Sequence, residues 1–395
     1  MSDNNKQLSF ENTEVAFRHY TNADLNRAYW LFRVINVNFL VKVGPPITNF
    51  AIKIGLPIKG IIKATIFKHF CGGETIRECE HTIKELEKGG VGTILDYSVE
   101  GEEEEKVFDE TRDEIIRTVR RAAKDKAIPI TVFKITGVGR FGLLEKLDAK
   151  ETLTDAEQLE WQKVQDRVLD ICSKAAEANV PIMIDAEETW IQDTIDHLAL
   201  EMMRRFNREK VIIYNTYQFY RHDKLQSLKD DHAVAVKEGF ILGAKLVRGA
   251  YMEKERRRAT EKDYPSPIQP DKQSADKDYD AALDFCTDQV DTLAIVAGTH
   301  NEDSCRLLTE FMHKKNIDSK NPHMYFSQLL GMSDNLSFNL ADAGYNVAKY
   351  VPYGPIKAVL PYLFRRAQEN TAIAGQMSRE LSLIVKERKR RKLNR

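Results

Sequence analysis

Eight short apolar runs recur between residues 91 and 370, each followed by a helical or polar stretch. They are VGTILDY (91–97), IPITVFKIT (128–136), VPIMIDA (180–186), VIIYNTY (211–217), ILGAKLVRGAY (241–251), TLAIVAGTHN (292–301), MYFSQLL (324–330) and AKYVPYG (348–354). Each is β-branched or aromatic and apolar on both faces, as a strand covered on both sides requires. The stretches between them carry helical stripes. In DEIIRTVRRAAKD, Ile115, Ile116, Val119 and Ala122 or Ala123 share one face. Eight β-then-α units in about 280 residues predict an α/β fold, a distorted (β/α)8 barrel. An open doubly wound sheet competes, but eight even repeats favour closure.

The flanks read differently. Residues 1–90 show helical patterns and no strand series, which predicts an N-terminal helical arm. Within it TIRECEHTIKELEK (75–88) spaces Ile76, Cys79, Ile83 and Leu86 along one helix face and stops at Gly89-Gly90. Residues 91–370 are the predicted barrel, and 371–395 a C-terminal helix running into the basic tail KERKRRKLNR. That tail reads either as a solvated helix end, where cations suit the dipole, or as an attachment to an anionic membrane. The acidic run GEEEEK near residue 103 suits a helix N-terminal turn.

Composition narrows the function. Fifty-nine Lys and Arg against 60 Asp and Glu give a net charge of −1, which argues against a dedicated nucleic-acid binder. The five cysteines are scattered with no C-x-x-C pair, and the nine histidines form no H-E-x-x-H. Neither a disulfide framework nor a metal site is predicted, and a reducing, cytoplasmic compartment is. The N-terminus carries acids early and has no apolar segment, so no signal or transit peptide is expected. The nearest candidate for a membrane span, PPITNFAIKIGLPIKGIIKATIF, is broken by Lys53, Lys59 and Lys63.

In a barrel of this kind the chemistry gathers at the C-terminal ends of the strands. Here those ends are polar almost throughout. Strand two ends near Lys134; strand three at Asp185, Glu187 and Glu188; strand four at Asn215, Tyr217 and Gln218. Strand five carries Lys245, Arg248 and Tyr251, and strand six ends Thr299-His300-Asn301. Strand eight carries Tyr350 and Tyr353, and the next helix Tyr362, Arg365, Arg366, Glu369 and Asn370. One such residue would be an ordinary ion pair; the whole set is costly unless a polar ligand binds there. The cations predict an anionic ligand, a carboxylate, a phosphate or both, with Arg365 and Arg366 as the anion clamp. FKITGVGRFG holds G-x-G-x-x-G at Gly137, Gly139 and Gly142. No long helix follows it and the next strand is about forty residues on, so a βα loop is expected rather than a dinucleotide site.

The segments FKITG, IDAEETW, NTYQFY, KLVRGAYMEKER, THN, FSQLLGMSDN and YVPYGPIKAVLPYLFRRAQEN, in order from residue 131 to 370, resemble the proline dehydrogenase family. The resemblance implies a distorted (β/α)8 barrel that binds FAD and oxidises L-proline to 1-pyrroline-5-carboxylate, passing electrons to a membrane quinone. By the same resemblance Arg365, Arg366 and Lys134 form the cage for the substrate carboxylate, oriented by Asp185. Tyr350, Tyr362 and Leu329 form the wall on the pyrrolidine ring. Asn215, Lys245, Val247, Arg248, Gly249, Tyr251, Thr299, His300, Asn301 and Glu369 correspond to flavin contacts. Asn215 and Lys245 stand where the bifunctional bacterial members have Gln and Arg. Tyr350 stands where hydroxyproline-oxidising relatives have a smaller residue, which favours proline.

Oxidation of an amine by two electrons needs a hydride acceptor that no side chain supplies. No dedicated base is evident for the amine proton. The loop EKDYPSPIQPDKQSADKDYD after strand five is a candidate lid. The length leaves no room for a fused 1-pyrroline-5-carboxylate dehydrogenase, so a separate one would receive the product. Two alternatives remain: a hydroxyproline dehydrogenase, and a Schiff-base aldolase with Lys134 or Lys245 as nucleophile.

Overall fold

A computed structural model describes residues 8–36, 48, 57–99, 103–370 and 378–393. Eight strands follow one another in chain order around a closed barrel. They are β1 (Gly92–Tyr97), β2 (Ile130–Phe133), β3 (Ile182–Ile184), β4 (Ile213–Gln218), β5 (Leu242–Val247), β6 (Leu293–Gly298), β7 (Met324–Leu329) and β8 (Val347–Tyr353). The pairings are parallel. The predicted barrel is therefore the observed one, and all eight apolar runs contain a strand. The strands are shorter than the runs where the chain must turn. Pro129 has no N–H to give a ladder, and residues Ile135–Gly137 wind into a 3-10 turn, so the second run keeps only four strand residues.

The chain divides into two compact units, residues 1–98 with 328–395, and residues 99–327. The second unit holds β2 to β6 and most of β7, with helices returning after each strand. Helix Asp155–Ala178 shows why these helices start and stop where they do. Thr154 and Glu157 form a reciprocal cap at its start, and Asn179 takes a left-handed conformation at its end. The last glycine of the G-x-G-x-x-G sequence, Gly142, already lies in helix Phe141–Asp148, which is only eight residues long. Most of the candidate lid is helical: Met252–Lys262 overlaps its start and Lys272–Asp288 its end. The irregular part between is tied down, with Gln269 N donating to Tyr220 O at 2.7 Å.

In the first unit β1 pairs with β8, Thr93 opposite Lys349 and Ile94 opposite Tyr350. Helix Ile76–Lys88 forms where the spacing places it, buries Cys79, Ile83 and Leu86, and is capped by Thr75. It ends at Gly89, and Gly90 has φ +72, a conformation open to glycine. Helix Asn22–Ile35 buries Leu25, Ala28, Phe32 and Ile35 in a core shared with Phe67, Phe70, Val359, Leu363, Leu383 and Ile384. Helix Arg379–Arg390 carries much of the basic tail, and these cations are largely engaged within the chain. Arg390 and Arg391 bind the buried Glu387, Arg391 also donates to Phe17 O and Tyr20 O, and Arg379 and Lys386 bind Glu11.

Candidate active site

In the second unit, parallel register sets Phe133 of β2 beside Ile184 of β3, so Lys134 and Asp185 leave the two strands side by side. Asp185 N donates to Phe133 O at 2.9 Å, which fixes the turn. Asp185 is then shared by two lysines. Lys134 Nζ lies 3.2 Å from Oδ2, and Lys245 Nζ of β5 lies 2.5 Å from Oδ1. All three side chains are at least four-fifths buried. Burial pushes the Asp185 carboxyl up, but the Lys245 and Lys134 ammonium groups outweigh it and hold it below the usual carboxylate range. Two lysines from different strands are thus held on one buried carboxylate.

Beside it lies a carboxyl that the sequence showed only as one of several acids. Glu187 accepts from Thr136 N at 3.0 Å and from the Thr136 hydroxyl, joining the turns after β2 and β3. It is 2% exposed, and burial raises its carboxyl to about 7. Glu255 is fully buried and ties helix Met252–Lys262 to the start of the helix after β3, accepting from Thr189 N at 2.8 Å and Thr189 Oγ1 at 2.6 Å. Tyr251 stands at the N-cap of that helix.

The end of β5 carries a second charged group. Arg248 bonds to Asp276 at 2.6 Å, to Thr299 Oγ1 at 2.8 Å and to Ser304 Oγ at 2.8 Å, and its guanidinium stacks 4.2 Å from the Tyr279 ring centre. Thr299 Oγ1 also accepts from Asn301 N at 3.1 Å. Asn301 caps helix Glu302–Lys314, and His300 sits half-buried between these two residues. Val247 closes β5 opposite Gln218. Gly249 follows with φ +119, and a Cβ there would come 2.5 Å from the Tyr220 ring. The backbone at this point must therefore stay bare. Asn215 does not join the lysine cluster. Thr216, not Asn215, pairs with Lys245, and the Asn215 amide turns to the other face of β4, donating to Asp196 Oδ1 at 2.9 Å.

The first unit gathers the remaining residues. Helix Ile356–Glu369 carries Tyr362, Arg365, Arg366 and Glu369. Arg366 is buried, pairs with Glu369 and lies 4.9 Å from the Tyr362 ring centre, while Arg365 is half-buried. Arg366 Nε and Tyr362 Oη are buried without a hydrogen-bond partner among the described residues. Burial and the lack of such a partner are costly unless a ligand supplies one. Tyr350 is buried on β8, and its carbonyl accepts from Leu330 N at 2.8 Å. Leu329 O accepts from Lys349 Nζ at 3.2 Å. Lys349, which the sequence reading passed over, has a fully buried side chain bound to Asp334 at 2.8 Å and Met332 O at 2.6 Å. Its signal was a lysine inside an otherwise apolar run. Among the described residues no group of three or more His, Cys, Asp or Glu could hold a metal ion.

These features define an α/β-barrel protein with a buried lysine–aspartate–lysine cluster at its strand ends and a buried arginine–tyrosine pair. Comparison with known proteins carries this further. The sequence profile of the family described as proline dehydrogenase matches residues 79–379. Proline dehydrogenase 1, mitochondrial, of Dictyostelium discoideum is 34% identical over 438 residues, covering 99% of this chain and 76% of that protein. The human protein of the same name is 42% identical over 253 residues, covering 63% of this chain and 42% of its own. The solved proline utilization A from Bdellovibrio bacteriovorus superposes with a TM-score of 0.73 at 19% identity. That match covers 95% of this chain and 40% of the larger one, and it bears on the fold alone. The chain belongs to the proline dehydrogenase family.

Proposed function

We propose that this chain binds FAD and oxidises L-proline to 1-pyrroline-5-carboxylate, passing the electrons to a membrane quinone as the first step of proline catabolism. A 1-pyrroline-5-carboxylate dehydrogenase would then consume the product. The observation that carries this reading is the Lys134–Asp185–Lys245 cluster, two buried lysines held on one carboxylate at the barrel strands. In this reading residues 91–370 are the catalytic barrel, 1–90 a helical arm and 371–395 a C-terminal helix.

The residues fit FAD on two observations. Lys245 brings a buried cation from β5, and Arg248 just beyond it brings a guanidinium held in place by Asp276, Thr299 and Ser304. Bound FAD would supply the hydride acceptor that the side chains lack. Lys245, Val247, Arg248, Gly249, Tyr251, Thr299, His300, Asn301 and Glu369 are assigned to it. Asn215 is assigned to it by resemblance only. Lys134, Arg365 and Arg366 are assigned to the proline carboxylate, with Asp185 fixing Lys134. Tyr350, Tyr362 and Leu329 are assigned to the ring. Holding the carboxylate on fixed cations orients the carbon beside the nitrogen and turns the transfer into a positioned, unimolecular step. The unpartnered Arg366 Nε and Tyr362 Oη support a polar ligand at this helix. Buried Tyr350 favours proline over hydroxyproline. Lys134 and Lys245 share a carboxylate, and an ion-paired ammonium is a poor Schiff-base nucleophile, which weighs against an aldolase.

Arg365→Met tests the assignment. The proline KM should rise by about tenfold or more, with FAD retained, since a charge-assisted hydrogen bond from a half-buried guanidinium to a carboxylate is worth about 1.5 to 3 kcal/mol. An unchanged KM would remove Arg365 from the carboxylate.

A further inference from the structure

We propose that Glu255 is a positioning residue, holding helix Met252–Lys262 on the loop after β3 so that the turn from Arg248 to Tyr251 stays in place for the flavin. The inference rests on the proposed reaction, which assigns that turn to FAD. The helix has little else to hold it. Its eleven residues, MEKERRRATEK, bury only Glu255 and Ala259, and Met252 at its start is 41% exposed. One buried alanine removes little apolar surface from water, so apolar packing does not decide where this helix sits. Polar contacts do, and three consecutive residues supply them. Glu188 pairs with Lys254, and Thr189 gives both its N–H and its hydroxyl to Glu255. The centre of the Trp190 ring lies 4.3 Å from the Arg258 guanidinium and 5.5 Å from the Lys254 ammonium.

Among these contacts the one through Glu255 is the strongest. Lys254 and Arg258 reach solvent, where such pairs contribute little, whereas Glu255 is fully buried. Thr189 opens helix Thr189–Phe206, so the carboxylate meets the N-terminus of that helix while standing in the first turn of its own. A buried carboxylate is costly unless its donors are in place, and its hydrogen bonds are directional, so it fixes an orientation that an apolar side chain would leave loose. Glu255 N also donates to Tyr251 O at 2.9 Å, which sets the held residue one helical turn from Tyr251. The loop that supplies Thr189 carries Asp185 as well, and Asp185 holds Lys134. Lys134, assigned to the proline carboxylate, and the turn assigned to the flavin are thus referenced to one loop.

The experiment compares the full-length holoprotein with Glu255→Ala, Glu255→Gln and Thr189→Val, and with Glu253→Ala, an exposed carboxylate in the same helical turn, as control. FAD release on dilution is read by free-flavin fluorescence, and flavin reduction by stopped flow with proline. Glu255→Ala should release FAD about tenfold or more faster, and its limiting rate of flavin reduction should fall by a similar factor. Its proline KM should stay within about twofold, because Lys134, Arg365 and Arg366 are unchanged. Amide exchange should rise in Met252–Lys262. Glu255→Gln keeps one acceptor oxygen and Thr189→Val loses one donor, so both should fall between, while Glu253→Ala should match the parent. Glu255→Ala and Thr189→Val proteins that hold FAD and are reduced at the parent's rates, even with a lower melting temperature, would overturn the proposal. If Glu255→Ala does not fold, Thr189→Val decides alone by the same two readouts. A parent that takes up no FAD, or whose flavin proline leaves oxidised, would overturn the proposed reaction and this inference with it. A parent that does both, beside unaffected variants, would overturn this inference alone.

Discussion

Replacing Asp185 by Asn keeps the shape of the side chain and removes the charge that Lys134 and Lys245 share. With Nζ atoms 3.2 Å and 2.5 Å from its two oxygens, each contact amounts to roughly 5 to 7 kcal/mol at an effective dielectric of about 20. Desolvation of three buried groups offsets most of that. Removing one partner of a buried ionic group still costs about 3 to 5 kcal/mol, because the remaining charges stay buried. The Asp185→Asn protein should therefore unfold with a midpoint roughly 5 °C lower for a chain of this length, followed by circular dichroism. The pH dependence gives an independent check. The Asp185 carboxyl is held below its unfolded value, so its stabilisation is fully present above the ordinary carboxylate range and is lost as pH falls through the folded value. That acid-side loss should shrink in the variant. Unfolding midpoints within about 1 °C of the parent, with an unchanged acid limb, would refute the reasoning that this carboxylate holds the two lysines.

Two further substitutions probe groups to which the sequence reading gave no role. Burial raises the Glu187 carboxyl to about 7, above its unfolded value, so the chain should lose stability as pH rises from about 4.5 through 7. Glu187→Gln should remove that dependence, worth roughly 3 kcal/mol, and parallel pH–stability curves for the two proteins would contradict it. Lys349→Ala leaves Asp334 buried without its ammonium partner, though Tyr20 still donates to it at 2.9 Å. Urea unfolding should show a loss of about 3 to 5 kcal/mol, and a loss under 1 kcal/mol would mean that Asp334 is already compensated.

The barrel was legible because its signal is repeated and local. Apolar runs such as TLAIVAGTHN need a strand covered on both faces, and the period of β then helix leaves few architectures. Strand ends were less legible: VPIMIDA yields only Ile182–Ile184, since Pro181 gives no N–H to a ladder and Asp185 turns toward Lys134 and Lys245. Those lysines were visible as polar ends of apolar runs, but their sharing of one carboxylate depends on register between strands 51 and 60 residues apart. Asn215 shows the limit of a one-residue reading. It looks like its neighbours in sequence, yet the pleat turns it to the opposite face from Thr216. The roles of Lys349 and Glu255 were not legible for a related reason. Each is buried only because a distant segment supplies its partner, Asp334 in one case and Thr189 in the other.

The absorbance spectrum of the purified protein, recorded before and after anaerobic addition of L-proline, tests the central claim most directly. The proposed function predicts a yellow protein with bound flavin whose visible bands bleach on adding proline and return with a quinone acceptor. A folded, colourless protein that takes up no FAD, or a yellow one whose bands proline leaves unchanged, would contradict it.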